Sequence, residues 1–193
     1  MRNSVRLEFL NQFVQRVREV GSVTPDSSAC VNGLLKSIRF DSAKTIIEFG
    51  AASGAVTRQI LRRKRSEATL VCFEKNPAFF DHLRKTIKGK NVLVVRADAF
   101  DAVHVLARFG IKPRSVDCII STLPCSSIRF SELIGTAVLP LLAERGAFVQ
   151  YMHVVSVLKR FSLKPILSRR FGKVDSEFVF MNVPPVLIYT CRS

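Results

Sequence analysis

The segment that most constrains this chain is Ile46-Ile47-Glu48-Phe49-Gly50-Ala51-Ala52-Ser53-Gly54, followed by Ala55 to Leu61. An apolar run ends in a glycine-rich turn, and the turn opens an amphipathic helix. Dinucleotides and related cofactors hang from such a strand–turn–helix unit. Gly50 permits the sharp turn, and Gly54 lets the helix start lie close to the strand. Ala52 stands where the fingerprint prefers a second glycine, and a methyl group is about the limit for close backbone approach. On its own, the segment reads equally as an ordinary connection between a strand and a helix.

Further apolar runs follow at regular intervals, at 69–74, 92–95, 116–121 and 146–152, with helical patterns at 77–88, 100–109 and 130–143 between them. Alternation of this kind predicts a doubly wound parallel sheet. Each run ends in a chemically distinct turn. The second delivers Glu74, twenty residues beyond Gly54, where a carboxylate can grip a ribose diol. The third delivers Asp98, and the fourth runs into Ser121-Thr122-Leu123-Pro124. The final runs, 174–181 and 186–192, are split by Asn182-Val183-Pro184-Pro185 and read as a closing hairpin.

This order of strand ends resembles the class I S-adenosylmethionine (SAM) methyltransferases. The resemblance implies a Rossmann-like α/β fold: a seven-stranded, mostly parallel sheet whose last strand is antiparallel. The glycine turn would hold the methionine part of SAM, Glu74 the ribose and Asp98 the adenine. It implies cofactor contacts at Ser27, Glu48, Gly50, Ala52, Gly54, Glu74, Lys75, Asp98, Ala99, Ser121 and Thr122. The turn after the fourth strand would face the methyl group, with Leu123 and Pro124 toward substrate. No metal is implied.

Other motifs narrow the family. Gly21, Val23, Pro25 and Ser27 match the Gly-x-Val-x-Pro-Ser-Ser segment of bacterial phospholipid N-methyltransferases, with Asp26 in place of a serine. The turn from Ser121 to Pro124 matches their Ser-x-Leu-Pro. The ending Asn-x-Pro-Pro with Tyr189 and Arg192 is also similar. Where that family has Gln-Phe-Thr-Tyr, this chain has Gln150-Tyr151-Met152-His153. Tyr151 and His153 alternate to one face of an extended strand and are the candidate catalytic residues: Tyr151 to flank the methyl group, His153 to accept a proton or bind a headgroup phosphate. Enzymes that methylate adenine instead place Asn or Asp and an aromatic ring in the fourth turn. Here Thr122 and Cys125 occupy those places, and no ring can stack from position 125.

The 193 residues carry thirty Lys and Arg against fifteen acids, a net charge of +15. That balance calls for a polyanionic partner, either an anionic membrane surface or nucleic acid. Residues 4–20 form an amphipathic pattern, with Val5, Phe9, Phe13 and Val17 on one stripe. This suits a helix lying in a membrane interface or one packed over the cofactor site. Residues 156–173 interleave cations with apolar side chains, as lipid headgroups and acyl chains would require. The chain divides into an N-terminal helix and cofactor-covering segment, 1–38, and a methyltransferase domain, 39–193. No run is long enough to span a bilayer. Five cysteines without paired spacing and three scattered histidines point to a reduced cytoplasmic protein without a metal centre.

The expected function is N-methylation of phosphatidylethanolamine or a related aminolipid, by a cytoplasmic enzyme held peripherally at the inner face of the membrane. The alternatives are methylation of RNA and a SAM-fold binding protein without catalysis.

Overall fold

In the computed structural model, the described residues are 28–124, 127–153, 162–180 and 185–192; the helix expected over 4–20 and Ser27 lie outside them. Seven strands form one sheet: β1 (Thr45–Phe49), β2 (Thr69–Phe73), β3 (Val92–Val95), β4 (Val116–Ser121), β5 (Leu142–His153), β6 (Lys173–Val179) and β7 (Val186–Arg192). Their order is β3-β2-β1-β4-β5-β7-β6. The pairs among β3, β2, β1, β4 and β5 are parallel. β7 runs antiparallel to both β5 and β6. Chain order reverses between β1 and β4, so the crevice of a doubly wound sheet opens above their C-terminal ends.

Among the described residues, the sheet is flanked by α1 (Ser28–Lys36), α2 (Ala55–Arg63), α3 (Pro77–Thr86), α4 (Ala102–Ala107), α5 (Ser127–Leu133), α6 (Leu139–Leu141) and α7 (Lys164–Ser168). The central strands β1, β2 and β4 are largely apolar on both faces because both faces are covered, whereas the edge strand β6 is mostly exposed. Ile46, Leu70 and Ile120 pack with α1 to α3. Ile47, Phe49, Val71, Ile119 and Phe148 pack with α4 to α7. Phe49 meets Phe73 edge to face at 5.4 Å, and Phe148 stacks on Phe171 at 6.0 Å. Cys30, Cys72, Cys118 and Cys191 are buried thiols in these layers. Cys30, Leu34 and Leu35 of α1 are buried in the same layer as Ile46. Residues 28–36 are therefore part of the packed body that holds the strands.

Local chemistry sets the helix ends. Asn76 caps α3 by accepting hydrogen bonds from the backbone N–H groups of Ala78 (2.9 Å) and Phe79 (3.4 Å), with Pro77 in the first turn. The helix expected over 130–143 starts earlier, at Ser127, and contains a wide turn at Ile134–Val138. Leu139 donates five residues back, to the Ile134 carbonyl. Pro140 has no N–H to offer, and the ladder widens just ahead of it. β5 begins at Leu142, four residues before the expected strand.

The stretch 156–173 departs from its expected role. Within its described part, α7 forms over Lys164–Ser168. Leu163, Leu167 and Phe171 are buried against the sheet. Their four-residue spacing is a core stripe, so these side chains are not available to acyl chains. Lys164, Arg169 and Arg170 remain exposed.

Candidate active site

The parallel strand ends are tied together by their own backbone. The Gly50 and Ala51 N–H groups donate to the Phe73 carbonyl at 2.9 and 3.2 Å, joining the glycine turn to β2. The Thr122 N–H donates to the Phe49 carbonyl at 3.1 Å, joining the fourth turn to β1. The Thr122 hydroxyl adds a bond to the Gly50 carbonyl at 2.7 Å. Gly50 holds φ +80°, and a β-carbon there would stand 2.9 Å from Leu123 Cδ2. Both the left-handed backbone and the close approach require glycine. Gly54, also at φ +80°, faces not the strand but the next helix, where a β-carbon would meet Leu83 Cδ2 at 2.9 Å. Ala52 accepts a positive φ of 46°.

That backbone aims an amide at the second strand end. The Ala52 N–H donates to Glu74 Oε2, and the Asn76 N–H donates to Glu74 Oε1, both at 2.8 Å. Glu74 is only 7% exposed, so its carboxylate is fixed against the glycine turn. Each of its oxygens takes one protein donor and keeps a further lone pair for a ligand hydroxyl. Lys75 reaches from the same turn to Asp98 Oδ2 at 3.4 Å, bridging the second and third strand ends. Asp98 Oδ1 accepts from the Phe100 N–H at 3.2 Å and so starts the short turn Ala99–Asp101. Ala99 itself is buried beneath it.

Glu48 lies one layer deeper. Its side chain is buried, and Oε2 accepts the Thr57 hydroxyl at 2.6 Å from α2. Burial pushes its carboxyl up to about 7, offset in part by Thr57 and the Cys72 thiol, with the Glu74 charge adding to the rise. Glu48 Oε1 is buried without a hydrogen-bond partner. Ser121 is likewise buried, and its hydroxyl accepts from the Leu123 N–H at 3.4 Å, shaping the turn. Leu123 is half-buried and Pro124 exposed. Tyr151 is half-buried on β5, and β5 runs on through His153, whose backbone pairs with Val186. Ser27 lies outside the described residues.

One residue of this region stands in a motif that gave it no role. Gln150 is fully buried at the end of β5. Its amide donates to the Leu123 carbonyl (3.2 Å) and the Tyr151 carbonyl (2.6 Å), pinning the fourth turn to the fifth strand. Its Oε1 is buried with no partner. The signal in the sequence is a lone amide inside an otherwise apolar strand.

These groups fit a sulfonium nucleoside. The paired acceptors of Glu74 match a cis-diol, the Asp98 carboxylate matches an exocyclic amine, and the orphaned Glu48 oxygen is an acceptor awaiting a donor. A separate shallow groove of about 590 Å³ lies between α1 and β6, lined by residues such as Gly33, Lys36 and Val179 and by none from the glycine turn. No helix among the described residues is long and apolar enough to cross a membrane, and no cluster of metal-ligating side chains occurs among them.

Among the described residues, exposed cations stand at both edges of the sheet, with Lys75 and Arg96 beside the strand ends just described. At the other edge of the sheet, where the parallel strands begin, Arg39, Arg65, Lys90 and Lys112 are exposed before β1 to β4, and Arg145 and Lys173 are exposed near the starts of β5 and β6. Most follow helix C-termini, where a cation also meets the helix dipole favourably. Lys64 serves the fold directly, its ammonium donating to the carbonyls of Arg65, Ala68 and Lys90.

No protein-family model matches the chain. It is 28% identical over 187 residues to an ornithine lipid N-methyltransferase of Singulisphaera acidiphila, covering 95% of this chain and 94% of that protein. Among solved structures, it resembles the precorrin-6y C5,15-methyltransferase of Geobacter metallireducens (TM-score 0.65, 20% identity, 85% of this chain and 88% of that one). It also resembles human methyltransferase-like protein 13, solved in complex with SAH (TM-score 0.65, 15% identity, 84% and 78%). A methyltransferase from Geobacter sulfurreducens aligns over all of this chain and 97% of its own (TM-score 0.63, 16% identity). At such identities the structural likeness establishes the fold, which is the seven-stranded Rossmann-like methyltransferase fold.

Proposed function

We propose that this chain, a SAM-dependent methyltransferase, methylates the amine of an aminolipid, either phosphatidylethanolamine or an ornithine-type lipid. The observation that carries the reading is the end-to-end alignment with an ornithine lipid N-methyltransferase, which spans 95% of this chain. The Ser121-Thr122-Leu123-Pro124 turn supports it, because a nucleobase substrate would want an aromatic stacking partner that Cys125 cannot supply.

SAM, when bound, supplies a methyl group on a positively charged sulfur, poised for in-line transfer to an amine lone pair. The protein's part is position and electrostatics. Glu74 and Asp98 hold the nucleoside end, and the glycine turn from Gly50 to Gly54 with Glu48 holds the amino acid end. Lys75 and Ala99 complete the adenine side. Thr122, Leu123 and Pro124, pinned by Gln150, bound the face where the amine arrives. Tyr151 would flank the transferred methyl group, where a π-face would stabilise developing positive charge. His153 accepts the proton that the ammonium must lose before its nitrogen can attack. An anionic membrane surface is the peripheral docking partner, in keeping with the +15 charge.

The test is transfer of labelled methyl from SAM to purified phosphatidylethanolamine, ornithine lipid and ribosomal RNA in parallel. Label in a lipid amine is the expected result. Label in RNA alone would replace the lipid reading, and SAM binding with no transfer to any of them would mark a binding protein.

A further inference from the structure

β6 ends in two exposed aromatic rings. Phe178 is 39% and Phe180 75% exposed, and their ring centroids lie 4.2 Å apart. Two phenylalanines held against one another in water form a patch that a soluble surface normally covers. Their position is informative. Val179 pairs with Val186, and Val186 pairs with His153. The rings therefore stand at the end of the sheet where the candidate catalytic strand finishes. The sequence from Phe178 to Thr190 contains no Asp, Glu, Lys, Arg or His. Charge attraction therefore does not by itself bring this stretch to a surface.

We infer that the Phe178–Phe180 pair is the membrane-docking point, inserting into the interfacial zone of a bilayer so that the pocket faces the lipid. Exposed aromatic rings beside the charged pair Lys36–Glu177 suit that zone, where apolar bodies leave water while their charged neighbours stay at the surface. The inference rests on the aminolipid reading and names the face that meets the substrate. The net charge then serves approach to an anionic surface, while the orienting contact is apolar and survives salt.

The test compares the full chain with Phe180→Ser and with Phe178→Ser/Phe180→Ser, by flotation with phosphatidylcholine vesicles in high salt. Both variants should bind at least tenfold more weakly, and methyl transfer to aminolipid in those vesicles should fall in parallel. Transfer to a short-chain, water-soluble aminolipid should stay unchanged. Phe180 is the more exposed ring, so the single variant reads docking even where the double one folds poorly. Wild-type binding by Phe180→Ser would overturn the inference, as would equal loss of transfer to the soluble lipid. If the wild-type chain floats with vesicles and the single variant does not, yet no aminolipid is methylated, the docking point stands and the substrate assignment fails.

Discussion

Replacing Glu48 with glutamine should stabilise the cofactor-free protein at neutral and alkaline pH. Glu48 is 1% exposed, with Oε1 unpartnered and Oε2 held by Thr57. Burial moves its carboxyl from the ordinary 4.5 to about 7, so the folded chain holds the proton more tightly than the unfolded chain. The sign follows from that difference. The unfolded carboxylate ionises first, and the folded state loses relative stability as pH rises from about 4.5 to about 7. Above that the loss is complete and constant. At about 1.4 kcal/mol for each tenfold change in proton affinity, the full loss comes to about 3 kcal/mol. Glu48→Gln keeps the shape and an acceptor for Thr57 while removing the ionisation. Urea unfolding at steps from pH 4.5 to 8 measures the effect through the difference between wild type and variant at each pH. That difference should grow in the variant's favour by about 3 kcal/mol across the range, with the m-value unchanged. A difference that stays flat, or that moves toward the wild type with rising pH, would refute the buried, proton-holding state of Glu48.

Four other outcomes are expected. Glu74→Gln replaces an acceptor of the Ala52 and Asn76 amides with a group that also carries donors; SAM affinity by calorimetry should fall at least tenfold, with about 1–3 kcal/mol lost from urea stability. Gly50→Ala forces a β-carbon to 2.9 Å from Leu123 at φ +80°, and should cost about 2 kcal/mol or more, read as a lower urea midpoint. Asn76→Ala removes the α3 cap and should cost about 1 kcal/mol in the same assay. His153→Ala should lower kcat at least tenfold with little change in KM, and should abolish the acid limb of the pH–rate profile.

Strand positions could be read from the chain because parallel strands buried on both faces must be apolar and must end in turns. The runs at 69–74, 92–95 and 116–121 match the observed strands to within a residue. Glu74 and Asp98 were legible as the acids that end two of these strands, and the structure sets Glu74 against the glycine turn. What could not be read depends on packing across distant segments. Thr57 looks like an ordinary helix residue until α2 brings it over Glu48. Leu163, Leu167 and Phe171 looked like lipid contacts among cations, because a five-residue helix gives too few turns to declare its face. The wide turn before Pro140 comes from a missing donor whose effect falls several residues upstream. Net charge is a property of composition; which edge a given cation occupies depends on where the turns fall.

The turns where the parallel strands begin have a practical use. Lys90 and Lys112 are exposed there, across the sheet from the glycine turn. Coupling the chain to a sensor through either ammonium would leave the cofactor cleft toward the flowing solution, so uptake of SAM could be followed on the immobilised protein.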